Sequence, residues 1–297
     1  MNGSFGPVLV TGADTGIGRQ TVETLAGRGY TIYATAYLQE NVDILNSIEN
    51  VKSTTLDVTN SASIDKLVEW VKEQGDSLYG IVNNAGITDY WPLVESTEEE
   101  FHRVLQVNLY GVVNVTRKLM PFIIENKGRI VNIGSLSGTI PTKLIGSYSI
   151  SKFAVEAFTD ILYFEVRKFG VTCVTIKPGD VQSGITKAMA SLLKSKKDRY
   201  ETSHYKDELS GAYQGIENQQ FLDRVDKDKP DNVVNAISEA LFSDNPKLKY
   251  LVTNEKDTQS AIGWSFRVIA QLLQNHPHAI SRENLHQMLD QQLDKFH

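Results

Sequence analysis

A chain of 297 residues with 41% hydrophobic side chains can bury a large core, and 36 acidic against 30 basic residues leave a formal charge of −6. That balance, with no long basic run, gives no electrostatic footprint for a nucleic-acid backbone, so nucleic acid is not an expected partner. No stretch reaches the roughly 20 apolar residues that span a bilayer, and residues 1–7 are too short for a signal peptide, so neither a transmembrane nor an exported segment is expected.

Apolar runs of strand length alternate with helix-period segments, the pattern of repeated βαβ units around a parallel sheet whose strands are buried on both faces. Strands are expected at 7–11, 31–36, 53–56, 78–83, 128–134, 171–177 and 249–252, with helices between them. The single cysteine, Cys173, falls in the sixth of these runs and is expected as a small buried residue in a reducing, cytoplasmic setting. Two segments break the rhythm. Residues from about 184 to 229 turn polar after an apolar start and have the length of a lid. The tail at about 255–297 carries Ile262, Trp264, Phe266, Ile269, Leu272 and Leu273 among polar residues, an amphipathic helix whose stripe packs on its own domain, on a subunit or on a membrane surface. His276 and His278 flank Pro277 with no carboxylate or cysteine at ligand spacing, so no metal site is expected.

The first strand runs into Thr11-Gly12-Ala13-Asp14-Thr15-Gly16-Ile17-Gly18 and then a helix. Glycines suit a tight turn here, a close backbone approach to a pyrophosphate and helix-on-strand packing, while the helix N-terminus offers free N–H groups to phosphates. The motif's position between a strand and a helix is the context that gives it weight as a dinucleotide site, NAD or NADP. An acidic residue or an arginine ending the second strand would discriminate the two cofactors, but Ala36 and Tyr37 stand there. The charge of Asp14 leans toward NAD, unless that aspartate caps the adjacent helix.

Tyr148 and Lys152 are spaced i and i+4 on a predicted helix, so they share a face. Ser135 ends the fifth strand, at the sheet edge where α/β sites form. Asn108 lies in the helix after the Asn83-Asn84-Ala85-Gly86 turn. Oxidising an alcohol requires a base for its hydroxyl proton; a phenol with a pKa near 10 needs a neighbouring ammonium to serve, and Lys152 is placed to be that cation. Ser135 would hold the substrate oxygen and Asn108 a water that lets the proton leave.

At these residues, with Asp57-Val58 and Pro178-Gly179, the sequence closely resembles the short-chain dehydrogenase/reductase family over residues 7–252. The resemblance implies a single Rossmann-type, doubly wound domain with a seven-stranded parallel sheet, and a catalytic tetrad of Asn108, Ser135, Tyr148 and Lys152. It implies that Asp57 and Val58 border the adenine, that Asn83, Ala85 and Gly86 line the middle of the cofactor, that Lys152 also binds the nicotinamide ribose, and that Pro178, Gly179, Val181 and Ser183 flank the nicotinamide. Homodimers or homotetramers joined through helices around 108–126 and 151–169 are usual in such proteins. The glycine loop and the Lys152-Phe-Ala-Val-Glu-Ala-Phe158 run look like the branch of retinol, hydroxysteroid and D-β-hydroxybutyrate dehydrogenases.

Pocket walls are expected from Tyr90, Trp91, Leu136, Ile140, Leu144, Ile145, Met189, Leu192 and Leu193, which suits an apolar alcohol or ketone. Ile145 stands where hydroxybutyrate enzymes of this kind carry a basic group. Other readings are a D-3-hydroxy acid dehydrogenase, a sugar-nucleotide epimerase or dehydratase, and a cofactor-binding scaffold without turnover.

Overall fold

A computed structural model describes residues 5–75, 77–181, 184–218 and 230–296, with the backbone alone at 184–187, 217 and 296. Ser183, expected beside the nicotinamide, and residues 219–229 of the expected lid lie outside the described residues. The chain falls into two compact units, Met1–Asn254 and Glu255–His297.

In the larger unit seven parallel strands form one sheet: β1 (Val8–Val10), β2 (Ile32–Ala36), β3 (Val51–Thr55), β4 (Gly80–Asn83), β5 (Arg129–Ile133), β6 (Thr172–Pro178) and β7 (Lys249–Val252). Their order, β3-β2-β1-β4-β5-β6-β7, reverses direction between β1 and β4. Ligands of doubly wound sheets bind at such a reversal, outside the carboxyl ends of the strands. Val8, Leu9, Val10, Ile81, Val82, Ile130 and Val131 are wholly buried, as strands covered on both faces must be. Cys173 in β6 is buried among them, and burial pushes its thiol up to about 12.

Helices α1 (Gly16–Gly27), α2 (Gln39–Asn46), α3 (Ser61–Glu73), α4 (Glu98–Leu105), α5 (Val112–Glu125) and α6 (Gly146–Val166) connect the strands. Local chemistry sets their starts: Asn60 caps α3 by accepting from the N–H groups of Ala62 and Ser63, and Thr97 with Glu100 forms a reciprocal capping box on α4. A π-helical stretch, Gln106–Gly111, joins α4 to α5.

The first part of the expected lid is helical: α7 (Gly184–Ser195), α8 (Lys197–Thr202) and α9 (Lys206–Glu217), followed after 230 by α10 (Asp231–Phe242). These lid helices have a small core of their own, in which Leu193, Leu209, Ala212 and Tyr213 close over Trp91, with Tyr90 and Leu144 packed alongside.

The second unit holds α11 (Glu255–Leu273) and α12 (Arg282–Leu293), the latter capped by Ser281. Ile262, Phe266, Ile269 and Leu272 of the expected stripe are exposed. No described helix is long and apolar enough to cross a membrane.

Candidate active site

A cavity of about 970 Å³ opens at the sheet reversal. Gly12, Asp14, Thr15, Gly16 and Ile17 line one end with Tyr37, Asp57 and Val58; Ala85 and Gly86 lie midway; Ser135, Tyr148, Lys152, Pro178, Gly179 and Val181 line the other end.

The glycine loop is fixed by its backbone. Gly12 and Gly16 have φ of 60° and 52°, a region that costs residues with a Cβ roughly 1–2 kcal/mol. A Cβ on Gly18 would stand 2.3 Å from the carbonyl oxygen of Gly12, so Gly18 shapes the loop from behind without lining the cavity. Asn84 Nδ2 donates to the carbonyls of Thr11 (2.9 Å) and Gly12 (2.8 Å), while Thr11 Oγ1 accepts from the N–H groups of Asn84 and Ala85, both at 3.0 Å. The turns after β1 and β4 are thereby locked together. Asp14 does not cap α1: its Oδ2 accepts from Asn41 Nδ2 at 2.8 Å, and the N-cap residue is Thr15. Asp57 accepts from the N–H and hydroxyl of Thr59.

The structure separates Asn83 from the cavity. Its Nδ2 donates to Thr116 Oγ1 at 2.9 Å and Asn132 Oδ1 at 2.8 Å, an interior network, and the neighbouring Asn84 is the asparagine that lines the cavity.

Tyr148 and Lys152 lie on one face of α6, with the Lys152 ammonium 5.6 Å from the Tyr148 ring centroid. Lys152 Nζ donates to the carbonyl of Ile133 at 2.7 Å. An ammonium has three donors, so two remain for ligand groups. Burial pulls Lys152 down to about 8. Burial pushes the Tyr148 phenol up, and a hydrogen bond with Ser135 works against that rise. Ser135 Oγ also accepts from the N–H of Ser137 at 3.1 Å, which fixes the hydroxyl at the strand end.

Asn108, in the π-helical stretch, is fully buried. Its Nδ2 donates to Ile87 O (2.9 Å) and Ser151 Oγ (3.0 Å), and its Oδ1 accepts from the N–H of Ile87 (2.8 Å). It pins the turn after β4 to α6 behind Gly86, where a Cβ would be 3.4 Å from Asn108 Oδ1 and 3.7 Å from Lys152 Nζ.

Of the expected pocket walls, Leu192 lines the cavity, together with Ile87, Thr88, Ala188 and Ser191. Trp91 and Leu193 are buried in the lid core. An ion cluster that leaves no mark in the local sequence ties Lys196 and Arg199 to Asp89, Glu95 and Glu100. Lys196, buried, bridges Asp89 (2.6 Å) and Glu100 (3.0 Å), and Arg199 reaches Glu100 at 2.6 Å and the carbonyl of Glu95 at 2.7 Å. Burial would raise Glu100, but Arg199, the Thr97 N–H and Lys196 outweigh it and bring the carboxyl down to about 2. The Trp91 ring lies beneath both cations, and the Trp91 backbone N–H donates to Leu144 O at 2.6 Å. That bond holds Leu144 at a φ of 65° immediately ahead of α6.

A glycine loop locked beneath a sheet reversal, facing a buried tyrosine, lysine and serine, defines a dinucleotide-dependent alcohol/carbonyl oxidoreductase. The comparisons with known proteins agree. Residues 7–194 match the short chain dehydrogenase family, and the chain belongs to it. It is 33% identical over 259 residues to the human (Homo sapiens) 17-beta-hydroxysteroid dehydrogenase type 6, covering 82% of this chain and 79% of that protein. With human retinol dehydrogenase 16 it shares 36% identity over 184 residues, 60% of this chain and 58% of the relative. Among solved structures, a short-chain dehydrogenase from Streptomyces avermitilis superposes with a TM-score of 0.76 at 26% identity, covering 92% of this chain and 96% of the other.

Proposed function

We propose that this protein interconverts an apolar secondary or primary alcohol, of steroid, retinoid or lipid type, and its carbonyl compound, with NAD favoured over NADP. The observation that carries the reaction is the buried Ser135–Tyr148–Lys152 group at one end of a cavity whose other end is the glycine loop. The residues present fit a nicotinamide dinucleotide: the cradle between Gly12, Gly16 and Ala85 has no room for added Cβ atoms at Gly12 or Gly18, and the N-terminus of α1 faces the cavity. Gly12, Thr15, Gly16 and Ile17 would hold the phosphates, Asp57 and Val58 the adenine, Ala85 and Gly86 the middle, and Pro178, Gly179 and Val181, with Ser183, the nicotinamide. When bound, the cofactor accepts or supplies the hydride.

The chain's own residues handle the proton. Ser135 holds the substrate oxygen beside the Tyr148 hydroxyl. Tyr148 takes the hydroxyl proton in oxidation and returns it in reduction, and Lys152 makes the phenolate accessible by its charge while binding the ribose. Asn108 fixes the turn that carries Gly86 and Ile87, and the second lone pair of its Oδ1 remains for a water toward Lys152.

Asp14 on the loop and the uncharged Tyr37 at the ribose corner support NAD. The apolar side chains of Ile87, Val181, Ala188 and Leu192 support an apolar substrate, as do the names of the hydroxysteroid and retinol relatives. A homodimer or homotetramer in the cytoplasm completes the reading: Ile150, Phe153, Ile161 and Phe164 form one exposed apolar stripe on α6.

The test is nicotinamide absorbance with purified protein, NAD and NADP side by side, over apolar alcohols and ketones and D-3-hydroxybutyrate. Turnover of D-3-hydroxybutyrate alone would reverse the substrate assignment, and dinucleotide binding with no turnover anywhere would favour a scaffold. Tyr148→Phe should lower kcat by roughly 10²–10⁴-fold while leaving dinucleotide affinity intact. Phe164→Glu should shift the light-scattering mass in solution toward the monomer.

A further inference from the structure

Among the described residues, the charged side chains lining the cavity are Asp14, Asp57, Arg103 and Lys152. Three already have a protein partner: Asp14 has Asn41, Asp57 has Thr59 and Lys152 has Ile133. Arg103 is exposed and has no hydrogen-bond or ion-pair partner among the described residues. A guanidinium held at a cavity wall without a protein partner is available to a ligand.

Its place is fixed by the helix that carries it. Arg103, Val107 and Gly111 follow one another at i, i+4 and i+8, one face of the α4 to π-helical run. Gly111 is pressed onto the turn after β3, where an added Cβ would come within 2.7 Å of Val58 Cγ2. Val107, one turn nearer, lines the cavity with Val58 and Thr59. Arg103 therefore stands at the rim of a slot walled by Val58 and Val107, with the Asp57 carboxylate in its lining. A phosphate there would meet the Asp57 charge. A flat heteroaromatic base bearing an exocyclic amine fits better: apolar walls for the ring, a carboxylate acceptor for the amine and a planar cation for the ring face.

Resting on the dinucleotide reading above, we propose that Arg103 stacks on the adenine ring of the cofactor and closes the adenosine end of the site from the α4 side. Because it addresses the ring and not the ribose, it favours NAD and NADP equally, and the choice between them lies elsewhere.

Calorimetry of NADH, NADPH, ADP and reduced nicotinamide mononucleotide with the parent and with Arg103→Ala tests this. The variant should bind NADH, NADPH and ADP about two- to fivefold more weakly, the range of a cation–π contact at an exposed site, and bind the mononucleotide as the parent does. A loss confined to NADPH would move the guanidinium to the 2′-phosphate and overturn the proposal, as would an equal loss for the mononucleotide or no loss at all. The melting temperature without ligand should match the parent's; a fall of several degrees would make Arg103 a structural residue and overturn it too. If the parent binds neither dinucleotide, the cofactor reading itself fails, whereas parental affinity in the variant removes only the role of Arg103.

Discussion

On the glycine-loop side of the cavity, position is set by backbone: Gly12 and Gly16 in left-handed conformations, Gly18 against a carbonyl, and Asn84 tying two turns by their carbonyls. On the lid side it is set by side chains, with Lys196 and Arg199 clamped between Asp89 and Glu100 above a small aromatic core. The first arrangement tolerates almost no change of shape, which fits the invariant cofactor proposed for it. The second is exchangeable piece by piece, as the proposed substrate wall requires. Trp91 links that core to the tyrosine helix, since its backbone N–H holds Leu144 just ahead of the helix that carries Tyr148.

Breaking the lid side should cost the most stability. Lys196→Met leaves Asp89 and part of Glu100 as unpaired charges in the interior, an expected loss of about 3–5 kcal/mol in urea denaturation, with dinucleotide affinity nearly unchanged. The same cluster gives a pH signature. Because the Glu100 carboxyl lies at about 2 in the fold, below the ordinary glutamate value of 4.5, its contribution is full above pH 4.5 and is lost as pH falls toward 2. The parent should therefore lose stability across that window more steeply than Glu100→Gln. On the backbone side, Gly18→Ala forces a Cβ against the Gly12 carbonyl, so a loss of about 1–3 kcal/mol should come with weaker dinucleotide binding. The smallest effect concerns Lys152. With its ammonium titrating at about 8, kcat/KM for ketone reduction should fall to about half at that pH and continue downward above it. A flat profile from pH 7 to 9 would remove the lysine's charge from the mechanism.

What was legible in the sequence was local. An i, i+4 spacing, a serine at a strand end and a glycine loop between strand and helix specify their own geometry, so Tyr148, Lys152, Ser135 and the loop lie where their pattern places them. The sheet was readable from apolar runs, but β3 begins two residues ahead of its expected start: at this edge strand Val51 and Ser53 face inward and Lys52 outward, an alternation too short to delimit. Asn83 and Asn84 show another limit. Successive side chains at a strand end point to opposite faces, and only the fold shows which asparagine meets the cavity. The pair Asp89 and Lys196, 107 residues apart, carries no mark in either local sequence.

The buried thiol of Cys173 has a practical consequence. As the chain's sole cysteine, with a pKa pushed to about 12, it presents almost no thiolate to maleimides near neutral pH. A cysteine introduced at an exposed position of α8 would take a fluorophore alone, without a cysteine-free background. Whether α8 shifts against the sheet when a dinucleotide is added can then be measured in the otherwise native chain.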